Sequence, residues 1–201
     1  MESLHPKLYQ SILVSAIISR VYSNSTVINQ IEAYLKPEVL KVLKSFPHQK
    51  LLIAGGFTAY IFGHTSNHGD VDVFLYEPVS PDYFKINGWR NERNYGCLID
   101  GISFKIYNRT VRDIELQMIV PTTSYNFTFL EFCFKVLTCF DIQYCKLGWV
   151  PFTTIVLDLR NVGREEINKY RLAVYQSRLK SASLPVPTLK LLCLEVLMKR
   201  K

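Results

Sequence analysis

Two aspartates separated by one residue, Asp70 and Asp72, carry the chemistry most legible in this chain. They sit in residues 51–75, LLIAGGFTAYIFGHTSNHGDVDVFL, which read as strand, Gly-Gly turn, short helix, loop and second strand. Residues two apart on a strand share a face. Both carboxylates therefore point one way, and Val71 and Val73 point into the core. Two carboxylates aimed at one place are unfavourable without a positive charge between them. A divalent cation supplies that charge, and the layout suits metal-dependent phosphoryl or nucleotidyl transfer. Gly55 and Gly56 have no Cβ, so backbone amides there can close on a phosphate. The helix expected from Phe57 would aim its N-terminal amides at the same anion, and Thr58 adds a hydroxyl one position later.

Ala54-Gly55-Gly56, a spacer from Phe57 to Gly69, and Asp70-Val71-Asp72-Val73 resemble the signature of the DNA polymerase β-like nucleotidyltransferase superfamily. Phe57 departs from it, because a small polar residue usually stands soon after the second glycine. The resemblance implies a third carboxylate on a neighbouring strand, since two metals about 4 Å apart need more oxygen ligands than one Asp pair offers. Asp141 is the first candidate, in Cys139-Phe140-Asp141-Ile142. An Asp between Phe and Ile has no cheap structural role. Glu115 is the runner-up, with Asp113 behind it, and its plain reading is a solvent-facing alternating position.

A narrower resemblance runs from residue 51 to residue 171. Glu115-Leu116-Gln117-Met118-Ile119, then Phe140-Asp141-Ile142 with Cys145 following, then Ile167-Asn168-Lys169-Tyr170-Arg171, are similar to nucleotidyltransferase-like domains encoded by large DNA viruses. The Arg-Gly that usually follows the last of these is missing. The implied activity is transfer of a nucleoside monophosphate from an NTP to an acceptor hydroxyl on RNA, protein or a small molecule. Asp70, Asp72 and Asp141 would hold Mg²⁺ or Mn²⁺. Gly55, Gly56, Thr58 and Lys169 would bind the nucleotide, with Lys105, Lys146 and Arg171 as further phosphate contacts. The alternative is an inactive member of the same fold serving as a viral binding, assembly or structural protein. His64 and His68 flank the loop before Asp70, but a turn rich in Ser, Asn and Gly makes them weak metal ligands.

The elements that must position these residues follow from patterning. Length 201 and 48% apolar residues describe a folded chain with an ample core. Net charge +7 favours polyanionic partners such as nucleotides or RNA. The apolar run at residues 12–18 is too short to span a bilayer, and no signal peptide is visible. The five cysteines lack CxxC spacing and read as buried thiols of a cytoplasmic or nuclear protein without a membrane partner. Asn24, Asn108 and Asn126 begin glycosylation-like triplets that read as chance.

The fold class is α/β, α+β in layout: a small mixed sheet carries the carboxylates, and helices pack on its other face. Residues 1–48 form an N-terminal helical segment of two helices, with Pro37 breaking the second. Residues 49–180 form the nucleotidyltransferase-like core. Within it, strands are expected at 97–107 and 112–120 around a turn at Asn108-Arg109, at 140–150 and at 153–157. Helices are expected at 127–137 and 164–179. Residues 181–201 are a linker and an apolar helix at 188–200, which packs on the core or mediates self-association.

Overall fold

The structure, a computed structural model, describes residues 25–46, 50–99, 101–140, 142–153 and 155–160. The first of the two expected N-terminal helices and the expected helices at 164–179 and 188–200 lie outside the described residues.

A helix, α1 (Ser25–Lys44), leads into strand β1 (Leu51–Ala54), helix α2 (Gly56–Ile61) and strand β2 (Val71–Leu75). Helix α3 (Pro81–Ile86) precedes three long strands, β3 (Arg90–Ile99), β4 (Ile102–Val111) and β5 (Ile114–Pro121). Helix α4 (Phe129–Cys139), a 3₁₀ turn (Gln143–Cys145) and strands β6 (Leu147–Trp149) and β7 (Val156–Asp158) follow. The seven strands form one mixed sheet in the order β3-β4-β5-β2-β1-β6-β7. Among the described strands only β2 and β5 run parallel. A parallel neighbour requires a crossover, supplied here by α3 and the β3–β4 hairpin.

Local chemistry explains most boundaries. Lys36 leaves the helical region (φ 63, ψ 155) immediately before Pro37; proline disfavours helical geometry in its predecessor, and the positive φ marks a sharp kink there. Ser80 caps α3, with proline in its first turn. Thr128 and Glu131 form a reciprocal capping box that starts α4 two residues later than the sequence predicts. The turn expected at Asn108-Arg109 is displaced. Both residues lie inside β4, and the chain turns instead at Arg112-Asp113 and around Gly101, whose φ is +83. Asp100-Gly101 is the stronger hairpin signal, and the predicted strand ran straight through it. The strand expected at 140–150 shortens to Leu147–Trp149, because the 3₁₀ turn occupies its first half.

Helices cover both faces of the sheet, not one. On the first face Ile53, Val71, Val73, Leu116, Met118 and Trp149 meet Ile31, Leu35 and Val39 of α1, Phe57 of α2 and Phe84 of α3. On the second face Leu52, Phe74, Ile106 and Ile119 meet Phe132, Cys133, Val136 and Leu137 of α4. Burial pushes the Cys133 thiol up, so it stays protonated. Cys145 is also buried, whereas Cys139 is exposed against expectation. Among the described residues no helix is long and apolar enough to cross a membrane.

Candidate functional site

Strand pairing decides which residues share the face of Asp72, because register partners on neighbouring strands point to the same side. Asp72 is flanked by Ala54 on β1 and by Gln117 on β5. Gln117 pairs in turn with Asn108, and Ala54 with Gly148. One row across the second face therefore reads Asn108, Gln117, Asp72, Ala54, Gly148. Two residues along each strand, the next row is Ile106, Ile119, Phe74 and Leu52, all buried in the core beneath α4. In the other direction Thr110 pairs with Glu115. Extending the parallel register from Val71 and Leu116 by one residue sets Asp70 opposite Glu115. The second face thus has an apolar half and a polar half, and both aspartates belong to the polar half.

The glycine turn closes on the same place. Gly55 has φ +86 and ψ −144, a conformation that L side chains rarely adopt. A Cβ built there would stand 2.7 Å from Asp72 Oδ2 and 3.2 Å from Phe140 Cε1. Backbone strain and lack of space both demand glycine. Gly56 opens α2, which has six residues and sums few peptide dipoles. What the turn offers an anion is close backbone, not a helix end. Phe57, which replaces the small polar residue of the resembling signature, is fully buried and packs on Tyr34 and His68. Thr58 is fully buried too. Its hydroxyl lies 2.8 Å from the carbonyl oxygens of Gly55 and Leu147, tying the turn to β6 rather than facing a ligand.

Asp70 is half-buried, and among the described residues its carboxylate has no hydrogen bond or ion pair. Glu115 is exposed and accepts a long 3.5 Å hydrogen bond from Asn108 Nδ2. Asn108 is 3% exposed, and its Oδ1 is buried without a partner. That burial also removes Asn108 as a glycosylation site in the folded chain. Asp141, Lys169 and Arg171 lie outside the described residues.

The other cations and histidines separate. Lys105 pairs with Val120 and shares the face of Tyr107, opposite to Asp72. Period-two alternation on β4 thus removes it from the site. Lys146 is fully buried just before β6, not a surface amine. His64 Nε2 lies 2.7 Å from Arg160, whose guanidinium is itself held by Asp158, and its ring stacks on Tyr144. Burial, and then the neighbouring Arg160 charge, lower its pKa. His68 Nε2 lies 2.7 Å from the Tyr34 hydroxyl, amid Tyr34, Phe57 and Tyr60. Each histidine belongs to a separate structural set.

Among the described residues no three His, Cys, Asp or Glu converge closely enough to hold a metal ion by themselves. Mg²⁺, however, commonly takes one or two carboxylates and completes its shell with phosphate oxygens and water. Asp70 and Asp72 on one face, beside a turn with no side chain, fit a cation shared with a phosphate and not a cage made of protein alone. Gln117 and Asn108 are the residues that sequence reasoning missed. Alternation placed Gln117 in phase with Glu115, but nothing local says which strand lies beside β2. No family model and no curated protein matches this chain, so the functional reading rests on geometry.

Proposed function

We propose that the polar half of the second face binds a nucleoside triphosphate together with Mg²⁺ or Mn²⁺. Its nucleoside monophosphate would pass to an acceptor hydroxyl on RNA, protein or a small molecule, in the manner of the DNA polymerase β-like nucleotidyltransferases. One observation carries this reading: Gly55 and Asp72, far apart in the chain, meet so closely that a Cβ would stand 2.7 Å from the carboxylate. The two halves of the signature form one place.

Asp70 and Asp72 present hard oxygen ligands from one end of β2. Gly55 and Gly56 leave room for phosphate against the backbone. Phe140, 3.2 Å from the Gly55 Cβ position, forms an apolar wall that limits water there. Bound Mg²⁺ would neutralise phosphate charge and stabilise the charge that builds during transfer. By resemblance, Asp141 completes the carboxylate set and Lys169 contacts the phosphates.

Titration calorimetry with NTP, with and without Mg²⁺, tests the binding. Asp72→Asn keeps size and removes charge, so the fold should survive. Binding should need the cation and weaken about ten- to a hundredfold in the variant, the order of one lost charge-assisted contact. Unchanged affinity in the variant, or affinity indifferent to Mg²⁺, overturns the reading. Label transfer from each α-labelled NTP to RNA or protein tests the chemistry. A second reading, nucleotide binding without transfer, is favoured by the neutral Gln117 beside Asp72, where a further carboxylate would strengthen metal binding. Tight Mg²⁺-dependent binding with no transferred label would select it.

A further inference from the structure

The row that holds Asp72 changes character strand by strand. Charge sits at Asp70, Asp72 and Glu115. The positions that continue the row across β5 and β4 are the neutral amides Gln117 and Asn108. Strands lie about 4.8 Å apart, so the row reaches about 10 Å from Asp72 at Asn108. An amide offers a donor and an acceptor side by side and no charge. It is a poor partner for phosphate and a good one for hydroxyls or the edge of a base. Asn108 is nearly fully buried, yet its Oδ1 has no donor. An unmet buried acceptor is costly, and the arrival of an N–H or O–H would relieve it. The amide's other end donates only a long 3.5 Å hydrogen bond, from Nδ2 to the exposed Glu115.

We infer that Gln117 and Asn108 form the nucleoside side of the site. They accept N–H or O–H donors from the sugar or base of a nucleotide whose phosphates lie at Asp70 and Asp72. This rests on the nucleotide-binding reading above. It explains why a nearly fully buried asparagine with an unmet acceptor stands in the same row as Asp72.

The test compares Mg²⁺-ATP, -GTP, -CTP and -UTP with Mg²⁺-tripolyphosphate, which has phosphates and no nucleoside. The proteins are the wild type, Gln117→Met and Asn108→Leu, each near-isosteric and unable to accept. Wild type should bind at least one nucleotide more tightly than tripolyphosphate. Each variant should weaken that nucleotide about three- to tenfold, the size of one hydrogen bond, and leave tripolyphosphate unchanged. For the preferred base, a 2′,3′-dideoxynucleotide assigns the donor: a variant effect that vanishes places it on the sugar, and one that persists places it on the base. Equal affinity of wild type for nucleotides and tripolyphosphate overturns the inference alone, as does parallel weakening of both in the variants. Failure of wild type to bind either probe with Mg²⁺ overturns the parent reading and this one with it. Gln117 is half-buried, so Gln117→Met decides the matter even where Asn108→Leu does not fold.

Discussion

The two faces of the sheet are built differently. The first is apolar across β1, β2 and β5, where α1, α2 and α3 lay Ile31, Leu35, Val39, Phe57 and Phe84 against it, and it carries Lys105 only out at β4. The second is apolar only where α4 packs. Beyond the Ile106, Ile119, Phe74 and Leu52 row it turns polar within a single step. Stability and chemistry are thereby divided. Burial on the first face, and on half of the second, holds the strands in register. The remaining half-face can then present Asp70, Asp72, Glu115 and Gln117 outside the apolar core, with Asn108 buried at its edge.

Substitutions on each face can break or sharpen that division. The largest loss of stability is expected on the first face. Trp149 is fully buried there, and Trp149→Ala should cost about 3–5 kcal/mol in chemical denaturation. A loss below 1 kcal/mol would mean that the first face does not hold the sheet together. Gly55→Ala comes next. It meets the left-handed penalty of about 1–2 kcal/mol and sets a Cβ 2.7 Å from Asp72 Oδ2. Gly63→Ala is the control, because Gly63 has φ +75 but nothing within 4 Å of its Cβ position. Gly55→Ala should destabilise more than Gly63→Ala and alone abolish Mg²⁺-NTP binding. Equal effects would deny the close approach at Asp72.

The smallest effect belongs to neither face. His64 fastens the loop before Asp70 to Arg160, and burial lowers its pKa from the ordinary 6.5. The unfolded chain therefore binds its proton at a higher pH than the folded chain does. Stability contributed here is complete above about pH 6.5 and falls as the pH drops from there towards the lower folded-state pKa. Melting curves of wild type and His64→Gln should run parallel above that pH, with wild type losing ground below it. Parallel curves down to pH 5 would show that the His64–Arg160 contact does not depend on a neutral imidazole.

Features made by neighbours in the chain were readable in advance. The break at Pro37, the strand–turn–helix at Gly55-Gly56, and the shared face of Asp70 and Asp72 follow from dihedral limits and period-two geometry. Asp100-Gly101 was equally readable as a turn, and weighing it above Asn108-Arg109 would have separated β3 from β4 correctly. The amphipathic spacing of Ile31, Leu35 and Val39 announced a helix with one buried side, but not which sheet face it would cover.

What the sequence determined by itself, then, is the local apparatus: a glycine turn, a strand that carries Asp72 with Asp70 just before its start, and helices with one apolar stripe each. Tertiary structure alone decided that β5, not β4 or β6, lies beside β2, and that it does so in parallel with Gln117 against Asp72. A shift of one residue would have turned Gln117 away and brought Leu116 into the row. Register of this kind is set by long-range pairing and by burial of Leu116 and Met118 on the opposite face, and no local propensity encodes it. The same holds for the lysines. Alternation on a strand whose facing is known only from its partners sent Lys105 to the far face, and only the folded chain shows Lys146 to be buried.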